Sequence, residues 1–348
     1  MSAKIPHELG YHMPAEWEPH EGTWISWPKD KDSFPEKILE QVENIYLQMI
    51  QVLQKSEKVF LLVNDNKWEE SVRDKFESNG VKTKNVVFHR IKSVDVWTRD
   101  YGPIFIKHKN GEVAATKWIF NAWGGKYDEL KSDNKAGEEI VKASKAKVFT
   151  PDIILEGGSI DVNGKGTLLT TEGCLLNKNR NSKLSKTQIE EYLKNYLGVE
   201  NFIWLKEGIA GDDTDGHVDD IARFVNENTV VCAFEDNPGD ENYAALKRNF
   251  ELLGKSKDQD GDRLNVVKLP MPGKVTYEQG RLPASYANFY IANKSILLPI
   301  FNHKNDKLAI GILQNLFPKK NIVPIYCTPL TYGFGAIHCV TQQQPLHG

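Results

Sequence analysis

A weak repeat runs through the 348-residue chain and constrains its fold more than any other feature. Amphipathic stretches with helical periodicity, clearest at 35–55, are followed in five cases by a brief β-rich run. The five runs are spaced by roughly 50–65 residues. They begin near Asn85, Asp152, Asn201, Asn265 and Asn321. Because alternating strands lie between them, the sequence predicts an α/β fold of five units, each with a helix, a short strand and a hairpin.

Polar segments follow the short strands, and five units around a centre would point these segments into a shared cavity. They are Trp97-Thr98-Arg99-Asp100, Glu156-Gly157-Gly158, GDDTDGHVDD at 211–220, GRLPASYANFY at 280–290 and GFGAIHCVTQQQP at 333–345. The repeat therefore predicts an active site assembled from all five units.

Charge and hydrophobicity exclude several classes of protein. The chain has 44 basic and 47 acidic residues without a long block of either sign, so no nucleic acid or anionic lipid partner is expected. The first ten residues lack an apolar segment of signal-peptide length, and no apolar run approaches the length of a membrane span. We therefore expect a cytoplasmic protein without membrane association.

The four cysteines are widely separated and form no C-x-x-C pair, so neither a zinc site nor a disulfide framework is expected. Cys174, Cys232 and Cys327 lie in apolar surroundings typical of small buried side chains. Cys339 lies in a polar turn and is the candidate nucleophile. Since neighbouring side chains of an extended chain point apart, His217 is a better partner for it than the adjacent His338.

Several acids accompany the candidate thiol. The aspartates of 211–220 do not fit a calcium loop, because ligand positions 1 and 12 would be Gly211 and Ala222. If a strand begins at His217, then His217 and Asp219 project to one face. Asp100 and Glu156 each follow a short strand. An ordinary surface ion pair of Asp100 or a structural histidine–aspartate pair remains the alternative.

A thiol, a histidine and several carboxylates suit a cationic substrate better than an ester or amide, whose anionic intermediates the acids would repel. Guanidinium is planar and pairs bidentately with carboxylates. A guanidino compound is therefore the expected substrate class, with no metal and no cofactor.

Seven ordered motifs make the chain similar, nearly end to end, to a known family. They are MPAEWEPHEGTWISWP at 13–28, DVWTRDYGP at 95–103, FNAWGGKY at 120–127, LEGGSIDVNGKGTLLTTEGCLLNKNRN at 155–181, GDDTDGHVDDIARF at 211–224, PASYANFYIAN at 283–293 and the terminal IHCVTQQQP. The sequence resembles the agmatine deiminases of the Porphyromonas-type peptidylarginine deiminase family, in the guanidino-group-modifying superfamily.

The resemblance implies a five-bladed pseudosymmetric α/β propeller, the pentein fold, as a single catalytic domain over residues 1–348. It also implies a metal-free hydrolase that converts agmatine to N-carbamoylputrescine and ammonia in putrescine biosynthesis. By this resemblance Cys339 is the nucleophile and His217 the general acid and base. The other implied site residues are Asp100 and Asp219 on the guanidinium, Glu156 as a further acid, and Trp97 and Asp213 in the far pocket.

One departure from the family pattern precedes the nucleophile, where Phe334 and Ala336 interrupt an expected glycine run and put the shape of the turn in doubt. The residues after the nucleophile, Gln342 to Gln344, are expected to satisfy backbone groups where the last unit closes onto the first, with a solvated tail as the alternative.

Other functions remain open. The same chemistry acts on free or peptidyl arginine in related enzymes, although Asp213 would repel a substrate carboxylate. Interception of the covalent intermediate by an amine would make the protein an amidinotransferase, and a silent scaffold would be a polyamine-binding module. A homo-oligomer is compatible with the resemblance.

Overall fold

Five mixed β-sheets of similar topology organise the chain. The computed structural model describes residues 5–278 and 280–348. In each sheet an antiparallel strand pair is followed by a parallel strand that the chain reaches through a helix. The first sheet adds one more helix and one more parallel strand. This arrangement confirms the predicted α/β fold of five units.

Each of these sheets has three or four strands. In their order across each sheet, the strands are Gln342–Pro345, His20–Ser26, Lys58–Val63 and Val86–Arg90; Tyr11–His12, Ile104–His108, Val113–Thr116 and Lys147–Phe149; Asp161–Val162, Thr167–Thr171 and Asn201–Leu205; Ala222–Phe224, Thr229–Phe234 and Asn265–Pro270; and Tyr290–Ile291, Ser295–Ile300 and Asn321–Tyr326. A separate hairpin joins Thr276–Tyr277 to Gly280–Arg281.

The six longer helices occupy the amphipathic stretches that periodicity predicts. They are Glu36–Leu53, Asn66–Ser78, Asp133–Ser144, Lys186–Leu197, Tyr243–Leu253 and Asp306–Leu316. Their apolar faces pack on the sheets; the first, for example, buries Val42, Ile45, Met49 and Ile50. None of the helices in the described parts of the chain is long and apolar enough to span a membrane.

Short helical segments carry most of the connections toward the site. The α-helical ones are Thr98–Tyr101, Ala122–Gly125, Glu172–Leu175 and Thr328–Thr331, and the 3-10 helices are His7–Leu9, Glu129–Ser132, Gly157–Ser159 and Val218–Asp220.

The chain end closes the ring of units. Strand Gln342–Pro345 pairs antiparallel with His20–Ser26 in the first sheet. The Gln344 side-chain oxygen accepts from the Trp24 indole at 2.9 Å, and the Gln342 amide donates to the Pro103 carbonyl at 2.7 Å. All three glutamines are buried, so the predicted closure is confirmed and the solvated tail is excluded.

Two local predictions are wrong. The parallel strand of the second sheet is Lys147–Phe149 and not the run that begins near Asp152, because Pro151 has no N–H to continue the ladder and only one bridge, Ile119 to Ile154, follows. No strand begins at His217: Val218–Asp220 is a 3-10 helix, and the strand starts at Ala222. The assignment of the whole chain to one catalytic domain stays a prediction.

Candidate active site

Four of the seven predicted site residues line a cavity of about 170 Å³: Trp97, Asp100, Asp213 and Cys339. Its buried end contains Cys339, Asp100 and Trp123, and its outer part contains the exposed Glu129 and the half-buried Asp213. Three of the five polar segments line the cavity, and hydrogen bonds join the other two to it, from Gly158 to Asp100 and from Asn288 to Cys339. The cavity is strongly acidic, because further carboxylates line it: Asp30, Asp32 and Asp95.

The turn before Cys339 takes a definite shape in spite of its departure from a glycine run. Phe334 adopts a left-handed φ of 68°, which is costly for a bulky side chain and is sustained only by its surroundings. A Cβ at Gly335 would overlap the Trp97 ring, and the nearby Gly333 is equally tight against Phe34. The turn therefore packs directly on Trp97, which lies nearer the thiol than the prediction of a far-pocket residue implies.

The thiol of Cys339 lies among polar groups from three other segments. Its Sγ accepts from the Asn288 amide at 3.1 Å and lies 3.7 Å from Asp219 Oδ2. Burial, together with the charges of Asp219, Asp220 and Asp100, raises the pKa of Cys339 well above its ordinary value. In the free site the sulfur is accordingly held as a neutral thiol.

Asp100 is fixed by two donors beneath the cavity. Its Oδ2 accepts from the Trp123 indole at 2.9 Å and its Oδ1 from the Gly158 backbone at 3.0 Å. Trp123 reaches it from a turn in which Trp123 itself has a left-handed φ of 52°. Burial raises the pKa of Asp100, against the lowering influence of His217.

His217 lies beside Asp100, with 3.8 Å between His217 Nδ1 and Asp100 Oδ1. A Cβ at Gly158 would lie 2.6 Å from this nitrogen and 3.1 Å from Asp219 Oδ2, so only glycine lets the three side chains approach. Burial would lower the pKa of His217, but Asp100, Cys174 and Glu156 raise it well above its ordinary value. The ring is therefore held in its protonated form.

Glu156 lies behind His217 and is completely buried. Its Oε1 accepts from Arg180 Nε at 2.7 Å, while Oε2 has no hydrogen-bond partner among the described residues. Arg180 also pairs with Asp215 at 2.6 Å, which ties this acid to the 211–220 segment. One ligand atom from each of Glu156, Cys174 and His217 lies within 4.8 Å of the others, but Glu156 Oε2 and His217 Nε2 have no hydrogen-bond partner among the described residues, so an orienting role for Glu156 stays a prediction.

Asp219 completes the carboxylates around the thiol. Its Oδ2 lies 2.7 Å from His338 Nδ1, and its Oδ1 is unpaired among the residues that the structure describes. Burial would raise the pKa of Asp219, but the hydrogen bond and charge of His338 hold it below its ordinary value. Asp219 is therefore an ionised carboxylate with one free oxygen.

Asp213 lies at the outer part of the cavity, where its side chain is 34% exposed. Lys126 Nζ lies 3.3 Å from its Oδ1, and the Tyr127 hydroxyl donates to its Oδ2. Asp213 thus lines the predicted pocket and is paired with a cation, beside the pocket, that the sequence pattern did not indicate.

Residue-by-residue reasoning missed five side chains that hold the site together: Glu16, Trp123, Arg180, Asn288 and His338. All five lie inside motifs that carry the family resemblance. Their place in these motifs was the one sign of a role in the site. Their hydrogen-bond partners could not be read from the sequence, because these lie up to 322 positions away along the chain, as with Glu16 and His338.

Two groups of side chains have the composition of metal ligands, Glu156-Cys174-His217 and Asp219-Asp220-Cys339. Both include residues of the predicted reaction site. The absence of a metal or cofactor requirement stays a prediction.

The comparisons with known proteins agree with this geometry. The family model described as Porphyromonas-type peptidyl-arginine deiminase matches residues 12–345. A relative from Legionella pneumophila (strain Paris), provisionally named an agmatine deiminase, is 40% identical over 342 residues, which cover 98% of this chain and 97% of the relative.

Solved structures agree as well. The agmatine deiminase of Enterococcus faecalis has a TM-score of 0.91 and 32% identity, with 99% of each chain covered. A cysteine-to-serine variant of the C. jejuni agmatine deiminase, with its substrate bound, has a TM-score of 0.87 and 34% identity over 97% of each chain. This protein therefore belongs to the Porphyromonas-type peptidyl-arginine deiminase family.

Proposed function

We propose that this protein is an agmatine deiminase, which hydrolyses the guanidinium group of agmatine to N-carbamoylputrescine and ammonia. The observation that carries the proposal is a buried thiol, Cys339, at the closed end of an acidic cavity, with Asp100, Asp219 and His217 around it. The named activity of the E. faecalis and C. jejuni relatives supports the same substrate.

Substrate binding uses two carboxylates of the buried end of the site, Asp100 and Asp219. Asp219 offers an oxygen without a partner in the described chain, and Asp100 is held in place by Trp123 and Gly158. Guanidinium nitrogens donate to both, which fixes the central carbon in front of the sulfur. Most of the rate acceleration comes from this positioning and from the charges around the carbon.

The substrate itself activates the nucleophile. Burial and three carboxylates keep Cys339 protonated in the free site, and a bound guanidinium cation offsets those carboxylates. The pKa of Cys339 then falls, the thiol proton is lost to water, and the thiolate attacks the guanidinium carbon. A neutral substrate analogue lacks this effect.

His217 carries the proton for the leaving group. Its raised pKa keeps it protonated before reaction. It donates to the departing nitrogen, the C–N bond breaks, ammonia leaves, and an S-alkylthiouronium remains on Cys339. The neutral histidine then deprotonates a water molecule that attacks the same carbon, the C–S bond breaks, and the ureido product and free cysteine result.

Arginine is a second candidate substrate because of one observation. Lys126 Nζ lies 3.3 Å from Asp213 Oδ1, so a cation that could pair with the carboxylate of arginine lies beside the outer part of the cavity, although Lys126 itself does not line it. Asp213, Glu129 and Asp32 oppose it with negative charge, and for this reason we favour agmatine.

The test is a coupled ammonia assay with agmatine, free arginine and an arginine peptide, each alongside Cys339→Ala. Ammonia and N-carbamoylputrescine from agmatine, lost in the variant, are the expected result. Ammonia only from arginine or the peptide would keep the chemistry and replace the substrate. Transfer of the amidino group to an added amine, without a ureido product, would make the protein an amidinotransferase, and binding without turnover would make it a polyamine-binding module.

A role in putrescine biosynthesis follows from the proposed product. A cytoplasmic location, expected from the sequence, and assembly into a homo-oligomer, compatible with the family resemblance, remain predictions.

A further inference from the structure

His338 precedes the nucleophile in sequence and lies between two buried carboxylates. Its Nδ1 is 2.7 Å from Asp219 Oδ2, and its Nε2 is 2.7 Å from Glu16 Oε2. A carboxylate only accepts hydrogen bonds, so each ring nitrogen must carry a proton when both acids are ionised. Because both ring nitrogens already have carboxylate partners, neither is free to act as a general base.

Both acids are ionised for reasons visible in their surroundings. Glu16 lies 2.9 Å from Arg223 and 3.4 Å from Arg99, and it accepts from the Ile291 backbone at 2.8 Å. Burial would raise the pKa of Glu16, but Arg223, His338 and Arg99 hold it well below its ordinary value. His338 likewise lowers the pKa of Asp219.

The charges of this buried cluster balance if His338 is a cation. Arg223 also pairs with Asp161 at 2.9 Å, which adds one more carboxylate. The cluster then contains three carboxylates, Glu16, Asp161 and Asp219, and only two arginines, Arg99 and Arg223. Because an unpaired buried charge is very costly, the imidazolium of His338 is the missing third cation.

We propose that His338, anchored by Glu16, is a positioning residue that occupies Asp219 Oδ2 with a charged hydrogen bond and leaves Asp219 Oδ1 free for the guanidinium. This inference rests on the proposed function, since it assigns Asp219 to the substrate. Glu16, from the beginning of the chain, thereby acts on the reaction through two intervening side chains without touching the substrate.

His338, anchored by Glu16, controls the ionisation of Asp219. The titratable groups that face Asp219 are His338, His217, Arg223, Asp100, Asp220 and Cys339. Of these, His338 makes the shortest contact with its carboxylate. Loss of the His338 cation raises the pKa of Asp219, so the substrate-binding form is lost at a higher pH.

The first experiment compares pH profiles of kcat/KM for agmatine in the native protein, His338→Gln and Glu16→Gln. We expect His338→Gln to lower kcat/KM by roughly 10- to 100-fold at neutral pH. We also expect its acidic limb to move upward by about one pH unit or more. Glu16→Gln keeps the side-chain shape and should move the limb in the same direction by less.

His20→Gln is the matched control. His20 is equally buried and pairs with a carboxylate, Glu57 at 3.4 Å, and with the Glu16 carbonyl at 2.8 Å, but it does not contact Asp219. In His20→Gln, the acidic limb of the kcat/KM profile should lie at the same pH as in the native protein. An equal fall at every pH in His338→Gln, without movement of the limb, would show a merely structural role and overturn the proposal.

A second measurement does not depend on turnover. In the native protein labelled with ¹⁵N-histidine, the His338 ring, assigned by the loss of its signals in His338→Gln, should show two protonated nitrogens at neutral pH, and Glu16→Gln should perturb that ring selectively. A spectrum in which that ring has one unprotonated nitrogen contradicts the proposal. If agmatine is not a substrate, this spectrum still tests His338, so failure of the proposed function is distinguished from failure of the inference.

Discussion

The two ends of the cavity handle acidic side chains in opposite ways. At the buried end, Asp219 keeps one oxygen without a partner among the described residues, and Asp100 receives only neutral donors besides His217. At the outer end, Asp213 is one-third exposed and already has Lys126 and Tyr127 as partners. The buried end therefore has negative charge available for a cation, while the outer end is partly neutralised.

The two ends of the cavity should therefore contribute unequally to recognition of the substrate. Charges in a dry site interact far more strongly than charges near water. Recognition of the guanidinium should therefore depend steeply on the buried acids, and recognition of the distal group weakly on Asp213. The ion pair with Lys126 leaves Asp213 with less influence than its place in the sequence motif suggests.

The sharpest way to break the comparison is the same substitution at each end. Asp100→Asn removes a charge beside His217 and leaves an amide facing the Trp123 and Gly158 donors, so kcat/KM for agmatine should fall by roughly 10²- to 10³-fold. Steady-state kinetics of Asp100→Asn and Asp213→Asn, with folding checked by circular dichroism, makes the measurement. Equal losses in the two variants would refute the contrast between the ends.

A smaller effect is expected on the chemical reactivity of the thiol. Asp219 helps to raise the pKa of Cys339, so Asp219→Asn should lower that pKa. The thiolate then forms at lower pH, and alkylation of Cys339 by iodoacetamide at pH 8 should be about tenfold faster. Peptide mass spectrometry measures modification of Cys339 separately from the other cysteines.

Asp220→Asn is the control for this alkylation experiment. Burial and the neighbouring Asp219 and Asp212 raise the pKa of Asp220 well above its ordinary value, and Asp220 raises the pKa of Cys339 less than Asp219 does. Alkylation of Cys339 should therefore accelerate less in this variant than in Asp219→Asn. A slower reaction in Asp219→Asn would show that the carboxylate does not suppress the thiolate.

The smallest effects belong to the outer end and should have opposite signs. Asp213→Asn should raise the KM for agmatine by about threefold to tenfold, and Lys126→Gln, which frees Asp213, should lower it by about twofold, since both groups are partly solvated. The kcat should change little in either variant. Measurement of KM at increasing ionic strength provides the check. If salt leaves the KM of the native protein unaffected, charge at the outer end does not contribute to substrate binding.

Much of the architecture was predictable from local patterns. The six longer helices and four of the five predicted β-rich runs lie where the sequence pattern places them, because burial of one face imposes a repeat on the sequence. The segment near Asp152 failed because its apolar side chains are buried without strand pairing, after Pro151 interrupts the ladder. Periodicity reports burial and not hydrogen bonding.

The site was predictable in its residue types but not in its connections. The sequence alone predicted that Cys339, His217 and several acids lie in polar segments of different units that face one cavity. Only the tertiary structure decided that His338 serves Asp219, that Arg180 holds Glu156, and that Lys126 neutralises Asp213. The physical reason is that a buried charge is stable only with a partner at about 3 Å, and segments far apart in the chain supply those partners through packing that no local pattern records.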